Sequence, residues 1–470
     1  MRLHDDWVEL ETLFGEERVI SGSVVEVDFT TSRILTHSVY FGISNTHFYL
    51  GCNSLHWGSC MISVVSKGIG FFARQKRDWK VSMMRSSISL FFYQMVLPYM
   101  SVYTRALGAS GTQLGVVNSV GMGMGGLVGP ITGWLIDRMG VKRIYLSGIV
   151  LLAISYLIYG LARGWVIIIM AMIAYWVGFG VSSHSCAVIC GNSLASEERA
   201  TAMSFCETFA AGLLGIAAPM LGAWLVTAFG GVNISGIRPL FFIGLAGAIA
   251  TFFLILTQLS NCQWGRQNQS KAGFLEDFSE VLEKGHHLKQ WLVISSLSDL
   301  PWVMVIPFTQ PFAHEMKGAD QYILGAMVTG FALIPLIVGI PAGRLADRIG
   351  RKKVIYLMIP FVWASSLLLI YAPNSVFLVA AGVLQGFMYT NSVITGAMTF
   401  ELVPAEQMGR WLGMVRFCGL LLGAGGVYLG GVIWDTFGPQ YVFLSVIGLD
   451  LFIRIPLLIR MPETLGLQAR

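Results

Sequence analysis

Six ionisable side chains stand in stretches that are otherwise apolar, where a charge is costly and usually serves a function. Asp299 lies in SSLSDLPWVM, with Pro301 two residues on to loosen the local backbone. A lone carboxylate in that setting can carry a proton or face a cationic substrate. It can equally be a structural acceptor for nearby backbone or hydroxyl donors. Glu207 (SFCETFAAG) and Arg416 (MVRFCGLLLG) can form an ion pair that breaks and re-forms, or each can pair locally. His184, in GVSSHSCAV, titrates near neutrality when unperturbed and suits either a proton relay or a hydrogen-bonded core position. Asp450 and Arg454 are four apart on one helical face, so they are expected to satisfy each other structurally. Tyr93, Gln94, Trp176, Trp302, Gln385, Tyr389 and Asn391 fit the lining of a mostly apolar, sparsely polar pocket. Taken singly, each also reads as packing.

Other chemistries are not signalled. There is no P-loop lysine motif, no H-E-x-x-H and no G-x-S-x-G, so an enzyme is not expected and any driving force is an ion gradient rather than ATP. Seven cysteines show no metal-ligand spacing, and Cys186 and Cys190 read as packing on one helix face. No metal or cofactor is expected. The net charge of +5 comes without a basic run suited to nucleic acid.

The elements that position these side chains follow from composition. Of 470 residues, 55% are hydrophobic and only 12% charged, with mean hydropathy +0.67. Soluble domains carry about 25% charged residues, so this chain belongs in a bilayer. Gly is abundant at 54 residues, as where helices pack closely in lipid. Membrane-length helices are expected at 84–106, 113–136, 143–162, 165–190, 200–228, 238–258, 290–313, 321–346, 353–372, 375–400, 407–433 and 439–460.

One stretch occurs twice between such helices. Gly133 to Arg143 reads GWLIDRMGVKR, and Gly343 to Lys353 reads GRLADRIGRKK. Around it, Pro98 matches Pro307, Leu114 matches Leu324, Tyr145 matches Tyr356, and Gly215 and Gly222 match Gly423 and Gly430. The offset stays at about 208–211 residues, which argues for two parallel halves with a substrate path between them.

The duplicated loop resembles the pattern G-x-L-x-D-R-x-G-R-K-R of the major facilitator superfamily, Val141 being the one clear departure. The resemblance implies an all-α membrane protein of twelve transmembrane helices in two pseudo-symmetric six-helix halves, 81–258 and 290–470. It implies alternating access for a small-molecule substrate, coupled to a proton or other ion, by a monomer. The gating residues it implies are Gly133, Asp137, Arg138, Gly140 and Arg143, with Gly343, Asp347, Arg348, Gly350 and Arg351. Gly133 and Gly343 would let a neighbouring helix come close. Asp137 would cap the start of the eleventh span and Asp347 that of the fifth, latching one face shut. Arg138 and Arg348 would pair with nearby carboxylates. The plainer alternative is that the basic residues only fix topology.

Lys and Arg crowd one side: Lys142, Arg143, Arg199, Arg266, Lys271, Lys284, Lys289, Arg351, Lys352, Lys353 and Arg410 face only Arg105, Arg163, Arg238 and Lys317. The rich side is expected to be cytoplasmic, with both termini there and the chain in the plasma membrane. Residues 259–289 form a linker whose FLEDFSEVLEKGHHLKQ has the spacing of an amphipathic helix on the inner surface. Residues 1–80 lie outside the pattern. They read either as a small β-rich soluble domain or as spurious upstream translation with the start at Met83 or Met84.

GLLGIAAPMLGAWL resembles a degraded form of the drug–proton antiporter motif G-x-x-x-G-P-x-x-G-G, keeping Pro219 and Gly222 but carrying Leu214, Ala218 and Ala223 in place of glycines. YWVGFG lacks the membrane Arg of R-x-x-x-G-x-G. MPETLG resembles the P-E-T-x-G of sugar porters, but P-E-S-P-R is absent. Proton-coupled efflux of an apolar or cationic compound is therefore favoured over proton-coupled uptake of a sugar or other nutrient. A non-transporting sensor on the same fold is the alternative outside transport, and two intact loop motifs argue against it.

Overall fold

The computed structural model describes residues 74–193, 215–260, 286–402, 408–460 and 463, with six short strands between residues 2 and 42. The chain divides into two compact units, Met1–Arg74 and Gln75–Arg470. In the first, β1 (Arg2–Leu3), β2 (Trp7–Glu11) and β3 (Glu17–Ser21) pair antiparallel, Trp7 facing Ser21 and Glu11 facing Glu17. β4 (Val24–Asp28), β5 (Arg33–Thr36) and β6 (Tyr40–Gly42) form a second antiparallel sheet. Strands were expected from Val24 onward; β1–β3 occupy the polar opening, where Trp7-Val8 and Val19-Ile20 supply β-formers between charges.

The second unit is helical. α1 (Arg77–Ala106), α2 (Gly111–Met139), α3 (Val141–Leu161), α4 (Trp165–Ser193), α5 (Gly215–Ala228) and α6 (Ile234–Gln258) belong to the first sequence repeat. α7 (His286–Ser298), α8 (Leu300–Pro311), α9 (Gln321–Ile349), α10 (Arg351–Tyr371), α11 (Ser375–Leu402), α12 (Met408–Thr436), α13 (Pro439–Leu449) and α14 (Ile455–Arg460) belong to the second. Nine helical runs among the described residues are long and apolar enough to cross a membrane.

Three expectations change. The first helix begins at Arg77, not residue 84, because Asp78 takes the Ser260 backbone N–H at 3.0 Å and Trp79 is fully buried. The seventh span is not one helix: it breaks at Asp299, since Pro301 has no N–H to continue the ladder, and α8 runs into a π-helical turn at Phe312–Met316. The last span is likewise interrupted by a π-helical turn at Asp450–Arg454. The amphipathic linker and Glu207 lie outside the described residues.

The duplicated loop is tighter than a loop. Gly140 and Gly350 have φ of 85° and 109°, and each both ends one helix and starts the next. A side chain would strain that backbone, which explains why both copies carry Gly there. At the other end of the helices, Ser110 and Asp320 cap α2 and α9 through side-chain acceptors.

α2 packs along α12, and α5 along α9; these seams join the two sequence repeats. At the end opposite the duplicated loops, one continuous apolar core takes in Tyr99, Tyr103 and Phe241 of the first repeat with Phe308, Trp434 and Phe443 of the second. At the loop end the core is split among the described residues. Tyr145, Ile136 and Ile189 form one cluster, and Trp291, Trp411 and Ile355 another. Among the described residues the repeats thus share one apolar core at one end and have two at the other.

Candidate functional site

The break at Asp299 decides what that residue can do. It occupies the N-cap position of α8, yet its carboxylate makes no capping bond and stays open to solvent. Its side chain instead lies near Ser392 of α11 and Arg454. It opens on a small recess, of about 10 Å³, lined by Asp299, Pro301, Trp302, Met388, Asn391, Asp450 and Arg454.

Asp450 and Arg454 were expected to be structural only. They do pair, across a π-helical turn, and both also lie on the recess. Arg454 Nη1 is 3.4 Å from Asp450 Oδ1, and Trp363 Nε1 donates to Asp450 Oδ2 at 2.9 Å. With the Asn391 amide oriented to suit its neighbours, its oxygen accepts from both Nη atoms of Arg454. Arg454 Nε has no partner among the described residues. One cation thus stands among two carboxylates, so the recess carries one uncompensated negative charge when Asp299 is ionised. Such a site can take a proton or a cation.

Of the other sequence-predicted residues, Tyr93 and Trp176 belong to an aromatic wall. Tyr93 stacks on Tyr175 (5.4 Å between centroids), Tyr175 on Phe179 (6.1 Å), and Trp176 meets both edge-on. Gln94 Oε1 and Trp176 Nε1 are buried without a partner among the described residues. Arg416 reaches this wall from α12, donating to Ser183 Oγ at 3.3 Å and lying over the Phe179 ring. His184 Nδ1 bonds its own helix at Gly180 O, 2.8 Å away. In α8 and α11, Trp302 stacks on Phe331, and Gln385 donates to Thr309 at 3.3 Å, while Tyr389 is half-buried.

In the duplicated loops, Asp347 pairs with Arg351 of its own turn at 3.0 Å, an exposed contact worth little by itself. Arg143 and Arg348 are exposed, and Arg138 lies in the last turn of α2. Among the described residues, no atom comes within 4 Å of a Cβ placed on Gly343. The start of the fifth span and the side chains at Gly133 and Asp137 lie outside the described residues. Glu463 of MPETLG accepts from the Arg351 and Lys352 backbone N–H groups at 2.9 and 3.2 Å. Glu463 therefore caps the start of α10.

Sequence reasoning missed Ser392, Trp363 and the buried Arg85, whose guanidinium lies over the Tyr145 ring. It also treated Arg105 as a loop charge. Arg105 and Glu315 stand one repeat offset apart, a signal that could have paired them.

Comparison with known proteins fits this geometry. The model of the Major Facilitator Superfamily matches residues 86–295 and 291–465. Multidrug resistance protein MdtG of Dickeya zeae is 25% identical over 300 residues, covering 60% of this chain and 70% of that protein. MdtG of Escherichia coli is 22% identical over 402 residues, covering 80% and 93%. Among solved structures, a mutant form of the nucleoside transporter NupG superposes with a TM-score of 0.69 at 15% identity, covering 82% of this chain and all of that one.

Proposed function

The chain belongs to the Major Facilitator Superfamily and is a multi-pass secondary transporter of a small molecule, and from that premise we propose that it expels an apolar or cationic compound in exchange for protons. Twelve spans in two six-helix halves rock about the α2–α12 and α5–α9 seams, with both termini and the duplicated loops on the cytoplasmic side. The transporter works as a monomer. The observation that carries the reading is the helix break at Asp299. It frees a carboxylate from capping and leaves it beside a recess whose only cation, among the lining residues, is already shared with Asp450. Protonated, Asp299 leaves the recess neutral; ionised, it offers a counter-charge to a cation. The aromatic wall of Tyr93, Tyr175, Trp176 and Phe179 suits a flat apolar body. The multidrug-resistance relatives support export rather than uptake.

The test is transport by the full chain in proteoliposomes with an imposed pH gradient, over a panel of lipophilic cations and neutral compounds. The intact protein should concentrate at least one cation against its gradient. Asp299→Asn should lose gradient-driven accumulation yet keep downhill exchange. Equal accumulation by the variant would remove Asp299 from coupling.

A further inference from the structure

At the end opposite the duplicated loops, two contacts between the sequence repeats are charged. Arg105 Nε and Nη2 donate to Glu315 Oε1 and Oε2, both at 2.7 Å, a bidentate pair. Asp435, in the last turn of α12, accepts from the Gly111 N–H at 2.9 Å and the Thr112 N–H at 2.7 Å.

The second contact completes an account of the start of α2. A helix leaves its first N–H groups without intrahelical partners. Here Ser110 and Gln113 satisfy each other: Ser110 N–H donates to Gln113 Oε1 and Gln113 N–H to Ser110 Oγ. The two amides between them, Gly111 and Thr112, are those that Asp435 takes. The positive end of α2 is thus finished by a carboxylate from the other half of the molecule. Neighbouring contacts seal the same place. Tyr99 donates to Gln321 O at 3.0 Å, and Gln321 Nε2 to Thr227 Oγ1 at 2.8 Å. Thr227 lies one repeat offset before Asp435, so the α5–α9 seam has a neutral bond where the α2–α12 seam has a charged one.

α2 and α12 run antiparallel, Gly111 lying by Trp434, Gly115 by Gly431, and Gly126 by Leu420. Each helix ends where the other begins, and each carries an Asp in its last turn: Asp435 in α12 and Asp137 in α2. We propose that Asp435 is a positioning residue that latches the outer gate, with Arg105–Glu315 as its companion. It is the reciprocal of the latch ascribed to Asp137 at the opposite end of the same helix pair. Rocking releases one Asp as it engages the other, so a single antiparallel pair locks both end states. The inference rests on the alternating-access reading.

The test is hydrogen–deuterium exchange on the full chain in lipid nanodiscs. In Asp435→Asn the Gly111 and Thr112 amides should exchange about tenfold faster or more, as for loss of a charge-assisted hydrogen bond. Residues 105–116 and 312–323 should loosen together, while 137–143 and 347–353 at the other end become slower. A rise confined to residues 111–112, with the other end unchanged, would reduce Asp435 to a local cap and overturn the latch. Should that variant fail to fold, Arg105→Glu should give the same two-ended shift. Adding Glu315→Arg should reverse it, and failure to reverse counts against the proposal. Exchange reads the gate without any substrate. Absence of proton-driven transport would sink the efflux reading and leave this result standing.

Discussion

Removing the charge of Asp450 tests how the recess is wired. Asp450 is 0% and Arg454 7% exposed, and Asp450 Oδ1 is 3.4 Å from Arg454 Nη1. Breaking a buried pair by deleting one partner costs about 3–5 kcal/mol, because the remaining charge is left uncompensated. Here the cost should be smaller in the single variant. Asp299 faces the same recess and already acts on Arg454, so the guanidinium can turn to it. Asp450→Asn, which keeps an acceptor for Trp363, should therefore lose only about 1–3 kcal/mol, the scale of one buried hydrogen-bonded group. Asp450→Asn with Asp299→Asn should lose the full ~3–5 kcal/mol, although Asp299→Asn alone costs little. The excess of the double variant over the sum is a coupling energy of about 1 kcal/mol or more. Asp450→Asn with Arg454→Leu should recover most of the stability, since a buried pair is replaceable by apolar groups. The assay is reversible unfolding of the purified full chain in mixed micelles, followed by tryptophan fluorescence. If the three carboxylate variants add within about 0.5 kcal/mol, Arg454 does not sense Asp299 and the shared-cation account fails.

Three further outcomes are expected. A Cβ on Gly431 would meet Gly111 O at 2.6 Å and Thr112 Cα at 2.9 Å, both backbone. Gly431→Val should penalise closure of that end by about 1–3 kcal/mol, a 5- to 150-fold shift of the gate, cutting transport while membrane insertion stays normal; transport within twofold of the intact chain would refute it. Trp79→Ala should destabilise the helical unit by about 3–5 kcal/mol, and a chain begun at Met83 should unfold at least as readily. Equal unfolding midpoints for that shortened chain and the full one would show that Arg77–Ser82 adds nothing. Asp137→Asn should favour the state open at the duplicated loops and slow transport without loss of insertion; transport at the intact rate would argue that the loop only sets topology.

How far the sequence reached depends on how local each feature is. Helical segments and the duplication were legible, because apolar runs and a repeat offset are properties of the chain itself. So were the places where the backbone must turn: Gly140 and Gly350 recur at a position that needs positive φ. The break at Asp299 was half-visible, since Pro301 announces a lost N–H but not which group will use the freed space. Asp450 and Arg454 looked self-sufficient, because a spacing of four suffices for a pair on any helix. Only the packing of α8 and α11 beside it places that pair on the same recess as Asp299. Asp435 and Gly111 are more than 300 residues apart, and no local pattern encodes their meeting. A side chain's type and period are written in the order of residues. Its partner is chosen by which helices the bilayer forces together and how they cross, and that choice exists only once the chain has folded.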